Sequence, residues 1–417
     1  MQDRYDVLVV GGGTAGVAAA VQAGRLGASV LLVEKTGQLG GTITNAGVRA
    51  IQTFFAYGER IIAGIGWEWA CRALRELGEP EPDGSDFRDS GVTNTLVNLP
   101  TFSAVADEMV HEAGVRGLFH TMLASLRPGD GGREVTLCTK KGLRTLRAHT
   151  VIDCSGDADA VALAGLEVVR PAELQPGTLV VETAGYDPES LDYTAIQAAF
   201  DKAVAAGEAK PSDPGWWDGD VTRFLKWRGG NCMHVVDVDA STSEGRTAAE
   251  IEARAAMLRL QRFCRAQPGL ENFHISWTAS ECGIRETVVI AGRYTVTDAD
   301  YTGGRLFEDA IANAFYPVDI HEPTSIDFQV LPRGVVPTIP YRALLPREGR
   351  GIVVAGRTVS SGRRANSGLR VMAPCMAMGQ AAGAAAALAA RDGIDVGDLS
   401  PETLRRTLAE HGAIVPG

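Results

Sequence analysis

The sequence predicts an α/β fold built on a parallel sheet, because its first residues alternate a buried strand, a glycine-rich turn, a helix and a second buried strand. Residues 7–10 read Val-Leu-Val-Val and run straight into the glycine-rich stretch at residues 11–16. Residues 30–33 form the next apolar run, and Glu34 closes it, 23 positions after Gly11. Together these observations predict a dinucleotide-binding β-α-β unit at the start of the chain.

Each part of this unit has a physical reason. Gly11 lets the chain turn sharply out of the strand, Gly13 lets the backbone approach a pyrophosphate, and Gly16 lets the next helix pack on the sheet. The N-terminus of that helix offers free N–H groups and a positive dipole end to the phosphates. Glu34 can accept hydrogen bonds from ribose hydroxyls and repels a 2′-phosphate, which disfavours NADP. The residues predicted to contact the dinucleotide here are Gly11, Gly13, Thr14, Ala15, Gly16, Glu34 and Lys35.

Length and charge restrict the class of protein. The 417 residues exceed the roughly 250–300 at which a single core stops growing, so we expect two domains. A net charge of −11 argues against nucleic acid or an anionic membrane as a partner. The first strand begins within six residues of the N-terminus, which leaves no room for a targeting peptide and predicts a cytoplasmic location.

Two further compositional features exclude alternatives. The seven cysteines are scattered singly, without a CxxC pair or a Cys/His cluster at metal spacing, so neither a disulfide redox centre nor a metal site is predicted. Residues 372–390 are apolar, but they are mostly alanine and contain Pro374 and Gln380. We therefore expect a helix buried in the protein core and not a membrane span.

The rest of the first half continues the α/β pattern. A strand that ends in a small glycine-containing turn places that turn on the ligand side of a parallel sheet, as predicted for residues 154–157. The elements predicted before residue 178 are helices over 67–77 and 102–112, a loop over 78–90, a strand over 115–126, a hairpin turn at 128–132, and strands over 134–139, 143–148 and 150–153.

From residue 178 the pattern changes. Strands at 179–183 and 232–238, a loop at 211–220 and a long helix at 247–267 predict an inserted substrate or cap domain. The chain returns to the nucleotide domain near Ile339, where a buried strand at 351–357 precedes a long Ala/Gly helix. No second GxGxxG motif occurs, which disfavours a reductase with its own NAD(P)H domain.

The motifs resemble those of the FAD-dependent oxidoreductases of the glutathione-reductase structural type, in the branch related to fumarate reductase, succinate dehydrogenase flavoprotein and aspartate oxidase. The resemblance implies a Rossmann-like FAD-binding domain, a parallel sheet with a three-stranded β-meander, plus an inserted α+β substrate or cap domain. The domain limits are then 1–50, 101–177 and 336–417 for the FAD-binding domain, and 51–100 and 178–335 for the cap. The segments that carry the resemblance are residues 11–34, 39–42, 151–157, 283–287, 316–321, 339–342 and 355–383.

The resemblance also implies where FAD would lie. Its pyrophosphate would rest on the first glycine loop and its ribose on Glu34, while a helix N-terminus near residues 367–370 would face the pyrimidine edge of the flavin. A histidine that carries the flavin covalently in some relatives is replaced here by Asn45, so non-covalent FAD is predicted. The further cofactor-binding residues implied are Gly40, Gly41, Thr42, Leu123, Gly156, Asp157, Gly356, Arg357, Ser367, Gly368 and Leu369.

Arg285 and His321 are the first candidates for substrate chemistry. The guanidinium of Arg285 suits a substrate carboxylate, although an internal ion pair that joins the two domains would use it equally well. His321 has an ordinary pKa of ~6.5 and can shuttle a proton. Asp319 lies on the same face of the strand and either orients that ring for catalysis or simply satisfies it. His234 is a weaker candidate on the same reasoning.

Arginines and aromatic residues supply the remaining candidates. Arg363, Arg364 and Arg370 cluster at the expected flavin edge, where they would hold an anionic substrate or the flavin anion, unless some of them form a solvated surface. Many relatives carry a His-Glu pair shortly before the last helix, where this chain has residues 362–367 instead. The pairs Trp216-Trp217 and Phe54-Phe55 suit either an aromatic lid or burial in a core.

Three functions follow from the sequence. The first is FAD-dependent two-electron oxidation or reduction of a small organic molecule such as a carboxylate, with an external electron acceptor or donor. The second is an aromatic hydroxylase that uses external NAD(P)H, which Arg357 disfavours because hydroxylases usually place an aspartate there. The third is a flavin-binding protein without turnover of its own.

Overall fold

The apolar runs of the sequence form the strands of a computed structural model that describes residues 2–85 and 94–417. The parallel strands at Arg4–Val10, Val30–Val33 and Ile352–Val354 are largely buried, as expected for a sheet covered on both faces. The strands described are β1 Arg4–Val10, β2 Val30–Val33, β3 Ala50–Ile51, β4 Phe55–Ala56, β5 Glu59–Arg60, β6 Thr95–Leu96, β7 Arg116–Leu118, β8 Met122–Gly129, β9 Gly132–Thr139, β10 Gly142–Asp153, β11 Val168–Val169, β12 Gly177–Ala184, β13 Gly229–Val235, β14 His274–Thr278, β15 Val289–Ile290, β16 Ala310–Asn313, β17 Val318–His321, β18 Ile326–Gln329, β19 Thr338–Pro340 and β20 Ile352–Val354.

Helices follow or connect these strands. Several begin at a side chain that accepts hydrogen bonds from the first free N–H groups, such as Asn98, Asp192 and Thr242. The helices described are α1 Thr14–Arg25, α2 Ile65–Glu76, α3 Leu99–Glu112, α4 Asp159–Leu163, α5 Tyr193–Ala205, α6 Val221–Lys226, α7 Ser243–Arg265, α8 Asp298–Thr302, α9 Arg363–Leu369, α10 Met372–Asp392 and α11 Pro401–Glu410.

The central sheet has seven strands, and β10 is the strand shared by its parallel and antiparallel parts. The order is β7-β2-β1-β10-β9-β8, and β20 also pairs with β10. β7, β2, β1, β10 and β20 are parallel, whereas β8, β9 and β10 form an antiparallel meander. Leu8 pairs with Val151, which in turn pairs with Ile352. The predicted Rossmann-like sheet with a three-stranded meander is therefore confirmed.

The structure corrects two predicted strands. Residues 115–126 do not form one strand: β7 pairs with β2 and ends at Leu118, and β8 begins the meander at Met122. The chain turns between them at His120, which has a φ of +51°. The strands predicted at 143–148 and 150–153 are a single strand, β10. The other predicted strands and helices lie within a few residues of their expected bounds, and the predicted loop at 78–90 extends beyond the described residues.

Helix α10 is the apolar segment that the sequence marked as a buried helix. Within residues 2–85 and 94–417 it is the one helix long and apolar enough to cross a membrane, yet nearly all of it is buried inside the protein. Gly379 and Gly383 bring it against α1. A Cβ at these positions would lie 2.1 Å from the Ala15 carbonyl oxygen and 2.2 Å from that of Ala19. The two glycines thus set the closest approach of these helices.

Replacing Gly383 with alanine is expected to destabilise the fold. The added Cβ meets the backbone of α1, which cannot rotate away, so the helices must separate at a cost of about 3 kcal/mol. Chemical denaturation would measure the loss in the free energy of unfolding. Gly117→Ala is the control, because a Cβ there meets nothing within 4 Å. Equal effects of the two substitutions would contradict the close packing of α1 and α10.

Buried residues form separate clusters. One cluster lies under β12, β13 and β14 and contains residues from Leu179 to Ile284, which is the region expected to form a cap. Phe54, Phe55 and Trp69 belong instead to the cluster around α1 and α10. The two phenylalanines are buried and make edge contacts with Trp67, so they fill a core. The predicted domain limits remain a prediction.

Candidate functional site

One cavity of about 1050 Å³ runs along the carboxyl ends of the parallel strands. Gly11 follows β1, residues 154–156 follow β10, and residues 355–357 follow β20, and all of them line it. This edge is where ligands bind in open α/β sheets. The opposite wall comes from the cap region and includes Trp216, Arg285 and His321. A ligand bound at the glycine loop can therefore extend to these side chains.

The three motif glycines at the start of the cavity differ in what they require. Gly11 has a φ of +98°, and a Cβ on Gly16 would lie 1.8 Å from the Gly11 carbonyl oxygen, so both serve the fold. Gly13 has a φ of −71°, and its nearest neighbour for a Cβ is Gly41 Cα at 3.8 Å. Neither the backbone conformation nor the packing requires glycine at position 13. We therefore attribute this glycine to a ligand that fills the open space beside it. Gly13 is also the N-cap of α1, and the free N–H groups at the start of a helix can bind an anion.

Glu34 is held at the cavity wall by backbone groups. Its Oε2 accepts a hydrogen bond of 2.6 Å from the Gly12 N–H, and its Oε1 accepts one of 2.7 Å from the Thr36 N–H. A carboxylate has about four acceptor positions, so each oxygen keeps a lone pair for a ribose hydroxyl. These hydrogen bonds hold the glycine loop and the Glu34 carboxylate in position relative to each other.

The predicted site residues divide into two groups. Gly16, Gly40, Leu123, Asp157, Arg363, Ser367, Gly368 and Leu369 are not among the residues that line the cavity. Those that line it are Gly11, Gly13, Thr14, Ala15, Glu34, Lys35, Gly41, Thr42, Gly156, Arg285, His321, Gly356, Arg357 and Arg370.

The helix N-terminus predicted near residues 367–370 lies slightly later in the chain, at the start of α10. Ser367, Gly368 and Leu369 are buried in α9, and the residues that face the cavity are Arg370, Val371 and Met372, where α10 begins. Ser367 has a different task, because its Oγ accepts a hydrogen bond of 3.1 Å from the Asp319 N–H. It thereby positions β17 from behind.

Arg363 and Arg364 point away from the cavity. Arg363 pairs with Glu173 at 3.4 Å and with Glu286 at 3.6 Å. Arg364 donates to Asp327 at 2.7 Å near the surface. The prediction that Arg363 acts at the flavin edge is therefore not supported by its position, whereas Arg370 does reach the cavity.

Asp157 is an internal ion-pair centre. Its carboxylate binds Arg357 at 2.7 Å and Arg246 at 2.9 Å, and it accepts a hydrogen bond of 3.0 Å from Thr287. Arg357 also donates to the Gly156 and Ile284 carbonyls. Burial acts to raise the pKa of Asp157, but the two arginines outweigh it and lower the pKa to about 2. These contacts join the ends of β10 and β20 to the cap.

We expect Asp157→Asn to destabilise the protein at neutral pH by about 2–3 kcal/mol, because it leaves two arginines without their counter-ion. The folded pKa lies below the ordinary value of ~3.9, so this contribution is complete above about pH 4 and disappears as the pH falls to about 2. Denaturation curves across that range would show the two proteins converge. A constant difference would contradict the ion pair, and the exposed Asp3→Asn serves as control.

Two arginines line the cavity near Asp319, and this part of the cavity is called its far end. Arg285 is buried, and its Nη1 donates to the Pro176 carbonyl at 2.7 Å and to Thr178 Oγ1 at 2.6 Å. Burial, followed by the charge of Arg370, lowers the pKa of Arg285 to about 9, so it stays a cation at neutral pH. The Nε of Arg370 is buried and has no hydrogen-bond partner among the described residues. Two neighbouring cations at a cavity wall are a binding place for an anion.

His321 and Asp319 project from β17 beside these arginines. Both side chains line the cavity, and His321 Nε2 lies 3.5 Å from Asp319 Oδ1. Burial and then Arg285 lower the pKa of His321 to about 4. Burial acts to raise the pKa of Asp319, but the charges of neighbouring groups, among them Arg370 and Arg285, hold it below its usual range. At neutral pH the pair is thus a neutral imidazole next to a carboxylate.

Tryptophans form the wall next to His321. Trp216 meets the His321 ring edge-on at 6.0 Å between centroids, and Trp217 lies 4.9 Å from Trp216 and 5.0 Å from Trp227. All three line the cavity, but Trp217 also belongs to the buried cluster under β12, β13 and β14, and Trp216 packs against that cluster. The indole Nε1 of Trp217 is buried without a hydrogen-bond partner among the described residues. The wall therefore offers a flat apolar surface.

Sequence reasoning missed Trp227 and Gln175. Gln175 links the site internally, since its Oε1 accepts from the His321 N–H at 3.0 Å and its own N–H donates to Glu286 at 2.7 Å. A single glutamine in a coil gives no signal of this kind. Tyr316, quoted only as part of a motif, also lines the cavity.

Comparisons with known proteins give the family of this fold and cavity. A family model described as FAD dependent oxidoreductase matches residues 6–408. The chain is 28% identical over 197 residues to digeranylgeranylglycerophospholipid reductase 2 of Methanothermobacter thermautotrophicus, which covers 46% of this chain and 50% of that protein. It is 55% identical over 213 residues to NADH:fumarate oxidoreductase of Klebsiella pneumoniae, which covers 45% of this chain and 21% of that protein.

The chain thus spans half the length of the first of these curated relatives and about a fifth of the second. Among solved structures, a geranylgeranyl bacteriochlorophyll reductase-like protein from Thermoplasma acidophilum aligns with 98% of this chain and 91% of its own. The TM-score is 0.47 and the identity 13%, which is a distant likeness.

Proposed function

The chain belongs to the FAD dependent oxidoreductase family, and from this premise we propose that it catalyses the two-electron oxidation or reduction of a small organic carboxylate held by Arg285 and Arg370. FAD is the cofactor of the family and, when bound, supplies the electron transfer. The observation that carries the proposal is the continuity of the cavity, because it joins the glycine cradle to the two arginines without a break.

The residues at the first end of the cavity fit FAD. The open space at Gly13 and the N-terminus of α1 suit its pyrophosphate, and the lone pairs of Glu34 suit its ribose. We propose that FAD is held without a covalent bond, because Asn45 occupies the position of the histidine that some relatives use. Acid precipitation should then release the flavin into the supernatant.

The far end of the cavity suits substrate binding and proton handling. Arg285 and Arg370, which both line the cavity, would bind the two oxygens of a carboxylate. The neutral imidazole of His321 would hold or accept a proton on the substrate beside them. The tryptophan wall would keep water from the bound molecule, which strengthens the attraction between the carboxylate and both arginines.

Anaerobic reduction tests the proposal. Purified protein should be yellow with bound FAD, and one member of a panel of small carboxylates should bleach the flavin absorbance without NAD(P)H, or should reoxidise flavin that has been chemically reduced. A colourless protein that takes up no added FAD would contradict the proposed function. Electrons would pass to or come from an external partner, and a panel of acceptors in the same assay would identify its class.

Two outcomes would favour the other functions. NADPH consumption that depends on an aromatic substrate and on oxygen would favour a hydroxylase. A bound flavin that reacts neither with small reductants nor with oxygen would favour a binding protein without turnover.

A further inference from the structure

A chain of hydrogen bonds fixes the tautomer of His321. His234 Nδ1 lies 3.1 Å from the Pro323 carbonyl oxygen, and because a carbonyl only accepts, Nδ1 must carry the proton. His234 Nε2 lies 3.1 Å from His321 Nδ1. In a neutral His234 this Nε2 is an acceptor, so His321 Nδ1 must be the donor. Burial, then Arg285 and His321, lower the pKa of His234 to about 3, so His234 is neutral at physiological pH.

Two acceptors consequently face each other in the cavity. Since the proton of His321 is on Nδ1, its Nε2 carries a lone pair, and this atom lies 3.5 Å from Asp319 Oδ1. That separation exceeds an ordinary hydrogen bond. The proton on Nδ1 is already engaged with His234. Asp319 also interacts with the hydroxyl of Tyr316, whereas the Nε2 lone pair of His321 awaits a donor.

We infer that the cavity binds a carboxylate that also carries a hydroxyl group, with its carboxylate on Arg285 and Arg370 and its hydroxyl donating to His321 Nε2 beside Asp319. The inference rests on the proposed function, because it names the substrate class of the same site. A hydroxyl supplies the missing donor and adds no charge. A protonated amine would place a third cation next to the two arginines, and a keto oxygen would face the lone pair as another acceptor.

The walls of this part of the cavity indicate the rest of the molecule. Trp216 stands edge-on to the His321 ring, and the ring of Trp217 lies 4.9 Å from that of Trp216. Flat aromatic surfaces favour an aromatic or other planar group. An aromatic 2-hydroxy acid therefore matches the cation pair, the acceptor and the wall together.

Equilibrium binding of matched probes tests the inference. Mandelate, phenylacetate and phenylglyoxylate share the phenyl group and the carboxylate, and they differ only in the hydroxyl, hydrogen or keto oxygen on the carbon between them. Calorimetry on the FAD-loaded protein should show that one enantiomer of mandelate binds about tenfold more tightly than phenylacetate. Phenylglyoxylate should bind about tenfold more weakly than phenylacetate, because its carbonyl faces acceptors.

Two substitutions of His234 distinguish its positioning role from simple packing. His234→Leu removes the group that holds the proton on His321 Nδ1, so the proton can move to Nε2 and the preference for mandelate should fall to about twofold or less. His234→Gln can donate its amide to Pro323 and present its carbonyl oxygen to His321, so it should restore the preference. Neither substitution removes a group that would touch the carboxylate.

The outcomes separate this inference from the proposed function. Equal binding of mandelate and phenylacetate to the wild-type protein, or an unchanged preference in His234→Leu, overturns the inference. Calorimetry gives the ratio whether or not the bound ligand bleaches the flavin. A protein that shows the ratio but never exchanges electrons would retain the binding inference and refute the proposed function.

Discussion

Gly13→Ala is expected to weaken FAD binding by at least about 100-fold, or about 3 kcal/mol, while the protein remains folded. The added methyl group meets no protein atom closer than 3.8 Å, so it projects into the space that the pyrophosphate would occupy. The φ of −71° is one that alanine adopts without strain. Flavin content after purification, followed by titration of the apoprotein with FAD, would measure the effect.

Gly16→Ala is the matched contrast in the same loop. Its Cβ would lie 1.8 Å from the Gly11 carbonyl oxygen, so this methyl group displaces backbone and should lower the free energy of unfolding as well as FAD affinity. Gly16→Ala should therefore be less stable than Gly13→Ala. Normal FAD affinity in Gly13→Ala would show that the cradle is not where the pyrophosphate binds.

Arg285→Gln is expected to lower kcat/KM for a carboxylate substrate by about 10²–10³-fold, which corresponds to about 3–4 kcal/mol. Glutamine can keep a hydrogen bond to Thr178 or Pro176, but it removes the buried charge that would face the substrate carboxylate. Steady-state kinetics with the best substrate from the anaerobic panel would measure it. FAD content should stay unchanged, because Arg285 is not part of the glycine cradle.

Arg364→Gln provides the control for Arg285. It removes an arginine from the same protein, but one whose partners are Asp327 and Gln329 outside the cavity, so kcat/KM should change by less than about threefold. If Arg285→Gln were as active as Arg364→Gln, the far end of the cavity would not be the carboxylate site.

The β-α-β unit could be predicted because several local signals coincide within it. The apolar run, the glycine spacing and Glu34 each depend on neighbours in the sequence, and β1, α1 and β2 formed as expected. The strand predicted at 115–126 was wrong because its division has a tertiary cause. β7 pairs with β2 and β8 with β9, while the turn at His120 contains neither glycine nor proline to announce it.

The site was predictable where a residue type implies its chemistry. Arg285, His321 and Arg370 stood out as charged or titratable groups in otherwise apolar or glycine-containing motifs, and all three line the cavity. Arg363 is also a charged residue in such a motif, but its side chain pairs with Glu286 and does not line the cavity. The pairing of His234 with His321 joins positions 87 residues apart, so only the folded chain reveals that the two rings meet.

A crystal structure with FAD and mandelate would show directly whether one cavity holds the cofactor and an organic anion together. We expect the pyrophosphate at residues 11–14 and the mandelate carboxylate within hydrogen-bond distance of Arg285 and Arg370. The mandelate hydroxyl should lie next to His321 Nε2. A flavin that fills the space between these arginines, or a mandelate bound outside the cavity, would contradict it.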